Sequence, residues 1–164
     1  MRHVRWIFVA VLLFSLTAFI DKDKPTTGLS VGNKAPDFSI EEHHMKACLK
    51  ALKGNYVLLS FWASYDASAR VNNMLLDHAL NDLPRNVKMV SVSFDRYQSI
   101  FDETLKQDRL GNARYFVEPD GEASNLFSLY HLDKGFKNYL LDEHGVIIAM
   151  NVRVEQLPNY LHNK

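Results

Sequence analysis

Cys48 is the only cysteine in the chain, and that single count limits the chemistry more than any other feature. One thiol closes no internal disulfide, forms no two-cysteine redox pair and builds no cysteine-rich zinc site. Its surroundings, His44-Met45-Lys46-Ala47-Cys48-Leu49, carry nothing that marks a reactive nucleophile. Cys48 therefore reads first as a bystander and second as a thiol for mixed-disulfide or dimer formation. Glu41-Glu42-His43-His44 is the one dense run of potential metal ligands. Neighbours on a strand point to opposite faces, so four in a row seldom converge on one ion, and a solvated hairpin turn is the expected reading. His131, His144 and His162 are scattered, with no pair at helical ligand spacing. No metal and no cofactor is expected.

The charge balance excludes another class. Nineteen basic residues face nineteen acidic ones. Setting aside Arg2 and Arg5 in the first twenty residues leaves seventeen against nineteen, a mildly acidic body with no general field for nucleic acid. A hydrophobic content of 47% with 23% charged residues is that of a globular protein and argues against disorder.

The N-terminus reads as a separate unit. Residues 1–5 carry two arginines, residues 6–20 (WIFVAVLLFSLTAFI) are continuously apolar, and Asp21-Lys22-Asp23-Lys24 ends the run. That pattern describes a secretory signal peptide or a short membrane anchor, and either one exports the domain behind it. The division is then 1–20 leader, 21–30 linker and 31–164 folded domain, a length suited to one core.

Within the domain, residues 37–40 and 46–49 are expected to be short and extended around a polar turn. Residues 55–63 (NYVLLSFWA) form the strongest strand signal, apolar on both faces. Across 66–83, Val71, Met74, Leu75, Ala79 and Leu83 fall at three- and four-residue steps, predicting an amphipathic helix stopped by Pro84. A second buried strand is expected over 87–94, a helix over 97–107, a short strand over 113–117 and a helix over 121–131. Residues 139–141 and 146–151 read as a hairpin, and 154–162 as a closing helix with Pro158 awkwardly inside it. This order predicts an α/β fold, a mixed sheet with helices on both faces, preceded by an N-terminal hydrophobic helix.

Three stretches, VGNKAPDFSI (31–40), LKGNYVLLSFWAS (52–64) and YLLDEHGVIIA (139–149), resemble in order and spacing the exported thioredoxin-like proteins of the TlpA and ResA type, near the peroxiredoxins. The resemblance implies a thioredoxin-like fold and, in most relatives, thiol-disulfide exchange. It also marks where this chain departs. Relatives follow the FWAS strand with a Cys-x-x-Cys at the start of the first long helix, where this sequence has Asp66-Ala67-Ser68-Ala69. They carry a proline, normally cis, where this sequence has Phe136, for which a trans bond is expected because a non-proline cis bond costs about 3 kcal/mol. Trp62 and Arg70 match the family pattern; Asn72 and Met74 do not.

Exchange needs a thiolate to attack and a second thiol to resolve the product, and a carboxylate does neither. Aspartate does suit a helix N-terminus, so Asp66 reads first as an N-cap and second as an acid-base or metal-binding group. The degenerate positions Asp66, Ala69 and Phe136 are thus expected to be non-catalytic. The candidate groove is Trp62, Tyr65, Asp66, Arg70 and Phe136, with Phe61 reading as core. The function expected is an exported, non-redox, protein- or peptide-binding or accessory domain of the cell envelope. The rival is an active thiol-disulfide oxidoreductase or peroxiredoxin-like enzyme, and metal carriage is a third reading without visible ligands.

Overall fold

A computed structural model of the chain describes residues 25–161, apart from 43–44 and 84–85. The leader expected over 1–20 therefore lies outside the described residues. Among those described, no helix is long and apolar enough to cross a membrane.

Five strands form the central sheet: β3 (Tyr56–Trp62), β4 (Val87–Ser93), β5 (Arg114–Val117), β6 (Asn138–Leu141) and β7 (Ile147–Met150). Their spatial order is β5-β4-β3-β6-β7. The first three run parallel, while β6 and β7 are each antiparallel to the preceding neighbour. β1 (Ser39–Glu42) and β2 (Met45–Cys48) form a separate antiparallel pair. Parallel neighbours need crossovers, and helices supply them: α1 (Ala67–Ala79) between β3 and β4, α2 (Gln98–Gln107) between β4 and β5. Two short helices, α3 (Asn125–Leu129) and α4 (Leu157–Leu161), complete the α-helices of the described residues.

Alternation along β3 divides the core. Val57, Leu59 and Phe61 face one side with Val92, Phe94, Phe127 from α3, Tyr130 and Tyr139. Phe61 sits at the centre of that cluster, 4.6 Å from the Tyr130 ring and 6.0 Å from Phe94. Leu58 faces the other side with Leu76 of α1, Leu140 and Leu157 of α4, and Trp62 lies there against Phe101 of α2. Helices thus cover both faces of a mixed sheet, the thioredoxin-like arrangement.

Three helices differ from their sequence-based outlines. The stretch expected as one helix over 121–131 breaks at Ser124, whose hydroxyl accepts the Phe127 N–H at 3.1 Å and starts α3 anew after a 3-10 turn at Gly121–Ala123. The last helix begins at Leu157 after a 3-10 turn at Val154–Gln156, which places Pro158 in a first turn where its missing N–H breaks no bond. In α1 the residues turned inward are Asn73, Leu76 and Asp77, whereas Val71 and Leu75 of the apolar stripe are 50% and 46% exposed.

Polar partners explain that inversion. The Ser91 hydroxyl donates to Asn73 Oδ1 at 2.7 Å and accepts the Trp62 indole N–H at 2.9 Å. Asp77 accepts the backbone N–H groups of Asn112 and Ala113 at 3.0 and 2.7 Å, fastening α1 to the loop before β5. Bonded in this way, the Asp77 carboxylate and the Asn73 amide oxygen avoid the cost of burial without a partner.

Candidate functional site

The surface at the C-terminal end of β3 is built from the turn into α1. β3 ends at Trp62, and the Asp66 N–H bonds back to the Ala63 carbonyl at 3.1 Å. The buried carboxylate of Asp95, just beyond β4, holds this turn in place. It accepts the Ser64 N–H at 3.0 Å, the Ser64 hydroxyl at 2.6 Å and the Ser93 hydroxyl at 2.7 Å. Asp66 has extended backbone angles, φ −93° and ψ 95°, and its Oδ1 accepts the Ala69 N–H at 2.9 Å. The carboxylate is thereby committed to one of the amides that a helix start leaves free.

Beside this turn runs an aromatic row. Tyr65, two-thirds exposed, lies 6.2 Å from the ring of Phe136, which stacks on Phe94 at 5.7 Å with 27° between planes and meets Phe127 edge-on. Partial burial, followed by the nearby carboxylates of Glu122, Asp95 and Asp66, holds the Tyr65 hydroxyl above the usual tyrosine range. Phe136 follows Gly135, whose φ of 99° only glycine adopts readily, and no peptide bond among the described residues is cis. Phe136 is half-buried, fixed from beneath by the core.

Two of the sequence-based groove candidates are placed elsewhere. Trp62 is fully buried, its indole satisfied by Ser91, and so cannot line a surface. The aromatic run that makes it look like a groove residue is the run that makes it core. Arg70 is turned away toward α2. Its Nε and one terminal nitrogen hold both oxygens of Asp108 at 2.7 Å, and Gln107 accepts a further bond at 2.8 Å. The hydrogen bond to Asp108 comes first in holding the guanidinium above its ordinary value. Its role is to fasten α1 to the end of α2.

The structure does bring Asp66, Ala69 and Phe136 to one groove of about 390 Å³. Ser60, Lys134, Lys137 and Arg153 are among the other residues that line it. Asn138 shapes the far wall by exchanging two hydrogen bonds with the Val152 backbone, at 3.0 and 2.7 Å. Sequence reasoning passes over Ser60, Asp95 and these cations. The signal available for Lys134 and Lys137 was their position flanking Gly135-Phe136.

Cys48 is not part of this groove. It is half-buried at the end of β2, its Sγ 3.8 Å from Asp37, which pairs with Lys50 at 2.8 Å. Of the Glu41-to-His44 run, His43 and His44 lie outside the described residues; Glu41 and Glu42 pair in the ladder with Lys46 and Met45. Among the described residues no three histidine, cysteine or acidic side chains converge as metal ligands. The groove therefore offers a committed carboxylate, a methyl group and an aromatic edge where thiol exchange requires two thiols.

Comparison with known proteins places the chain. The sequence model of the AhpC/TSA family matches residues 31–150. The chain is 25% identical over 130 residues to the thioredoxin-like protein YneN of Bacillus subtilis strain 168, covering 79% of this chain and 75% of that one. A crystal structure of a thioredoxin-like protein from Parabacteroides distasonis is 42% identical with a TM-score of 0.74, covering 85% of this chain and 99% of that one. A thiol-disulfide oxidoreductase from Bacteroides fragilis is 26% identical with a TM-score of 0.66, covering 79% and 98%.

Proposed function

The chain belongs to the AhpC/TSA family, with a thioredoxin-like fold, and we propose that it is a non-catalytic member holding a partner polypeptide at the surface around Tyr65 and Phe136. The observation that carries the reading is the pair of positions 66 and 69. Where the resemblance puts two thiols there stand an aspartate and an alanine, joined by a capping hydrogen bond. With one cysteine in the chain, placed outside the groove, no attacking and resolving pair exists. What the fold retains is a groove flanked by an exposed tyrosine and a core-anchored phenylalanine, features suited to low-entropy contact with an extended chain.

The place of action is the outer side of a bacterial cytoplasmic membrane. This rests on the two arginines, the fifteen-residue apolar run and the charged exit of residues 1–24.

Photo-crosslinking tests the binding role. A photoreactive phenylalanine analogue at position 65 of the full chain should yield discrete protein adducts in the envelope fraction. The same group at Lys88, exposed on β4, should yield none. Equal labelling at both positions, or none at 65, would contradict the reading.

A further inference from the structure

We infer that the polypeptide held in this groove is an acidic segment carrying aliphatic side chains, its acids set against Lys134, Lys137 and Arg153 and its aliphatics against the outward stripe of α1. This deepens the proposed peptide-holding role and rests on it.

The cations come first. Lys134, Lys137 and Arg153 line the groove with Asp66 as the only carboxylate among its walls. The ion pairs formed between described residues are Lys50–Asp37 and Arg70–Asp108, so none of the three is neutralised by a described partner. Asp66 offsets little, because its Oδ1 is taken by the Ala69 N–H at the positive end of α1. The groove is thus locally cationic on a body that is mildly acidic beyond its leader. Cations with no ion pair among the described residues, set along a concave wall, favour an anionic occupant and disfavour a basic one.

The second observation is independent of charge. α1 buries Asn73 and Asp77 and turns Val71 and Leu75 outward, one helical turn apart. Inside, Asn73 and Asp77 are held by Ser91 and the 112–113 backbone, so α1 docks partly through polar bonds and leaves about half of each outward aliphatic side chain uncovered. The stripe borders a shallow hollow completed by Val154, and that hollow shares Ser68, Asn72 and Arg153 with the cationic groove. The surface is therefore continuous, cationic at one end and largely apolar at the other, where Glu155 is the one carboxylate in the lining of the hollow. An extended chain crossing it meets both, and neither a nucleic acid nor a small anion has an evident use for the apolar half.

Selection of random peptides of about twelve residues, displayed on phage, against the purified full-length chain tests the inference. Enriched peptides should combine Asp or Glu with Leu, Ile or Val. A synthetic copy of the leading peptide should bind about tenfold more weakly, by fluorescence anisotropy, to the Lys134→Glu/Arg153→Glu chain. Selection on that variant should shift toward basic peptides, a reversal that a misfolded variant cannot give. Selection on Val71→Ser/Leu75→Ser should keep the acids and lose the aliphatics. Peptides enriched without acidic preference, and bound equally by the charge-reversed chain, would overturn the inference while leaving peptide holding in place. Failure to enrich peptides on any form of the chain would overturn both.

Discussion

Asp66 and Ala69, the two positions at which the family resemblance implies a cysteine pair, are joined by one hydrogen bond, the Ala69 N–H donating to Asp66 Oδ1 at 2.9 Å. The bond uses the property of a helix start that favours a thiolate in a redox enzyme, its free amides and positive end, to hold a carboxylate instead. Asp66→Asn keeps an acceptor and removes the charge, and should cost about 0.3–1 kcal/mol of stability. Asp66→Ala removes both and should cost about 0.5–2 kcal/mol. Urea denaturation of the two variants checks the order. Unchanged stability with lost binding in Asp66→Asn would make the aspartate a functional acid.

Restoring the thiols asks what else has diverged. Asp66→Cys/Ala69→Cys returns a dithiol to the first turn of α1, with residues three apart on one face. Slow insulin reduction above buffer is expected, measured by turbidity with dithiothreitol as reductant. It should remain slow because Phe136 stacks on Phe94 where the family resemblance implies a proline. A rate of zero would mean that the surface has lost more than its cysteines.

Much of the fold was legible in the sequence. The continuous apolar runs of β3 and β4 admit no reading but buried strands, and aspartate before an alanine-rich turn marks the start of α1. The turn 142–145 was also visible, with Gly145 at φ 80° and Asp142 Oδ1 accepting the His144 and Val146 N–H groups. The inward face of α1 was not, because periodicity assumes that apolar residues seek the core. Ser91, 18 residues from Asn73, and the loop at 112–113, some 35 residues from Asp77, reverse that preference. Trp62 was misplaced for the same reason: its partner Ser91 is 29 residues away. The cationic groove was hidden because the segments holding Lys134 and Arg153 meet only once β6 and β7 pair.

Alkaline pH separates two buried tyrosines. Burial, then the charge of Asp77, pushes the Tyr115 hydroxyl far above the usual range; burial does the same for Tyr130, with smaller contributions from Tyr139 and Asp37. Each stays neutral in the fold while the unfolded chain ionises near pH 10, so the stability they confer is intact below about pH 10 and falls as pH rises beyond it. Tyr115→Phe and Tyr130→Phe should each flatten that alkaline loss. They should differ at neutral pH. The Tyr115 hydroxyl lies near Asp77, Asn73 and Ser91 without meeting hydrogen-bond geometry, so its removal should cost nothing. The Tyr130 hydroxyl donates to the Pro36 carbonyl at 2.6 Å, and its loss should cost about 0.5–1.5 kcal/mol. Urea titrations at neutral and alkaline pH read both effects.

Export has its own test. A reporter fused after Lys164 and active only outside the cytoplasm should give signal in the intact chain. Replacing Leu12 and Leu13 by arginine, within the apolar run, should abolish it. A reporter that works only when cytoplasmic would make residues 6–20 part of the fold.

An insulin-reduction assay of the unmodified full-length chain, with excess dithiothreitol, tests the loss of redox chemistry most directly. The predicted result is a rate equal to that of the reductant alone, because Asp66 and Ala69 supply neither an attacking nor a resolving thiol. Reduction above that baseline that persists in Cys48→Ser would contradict the central claim.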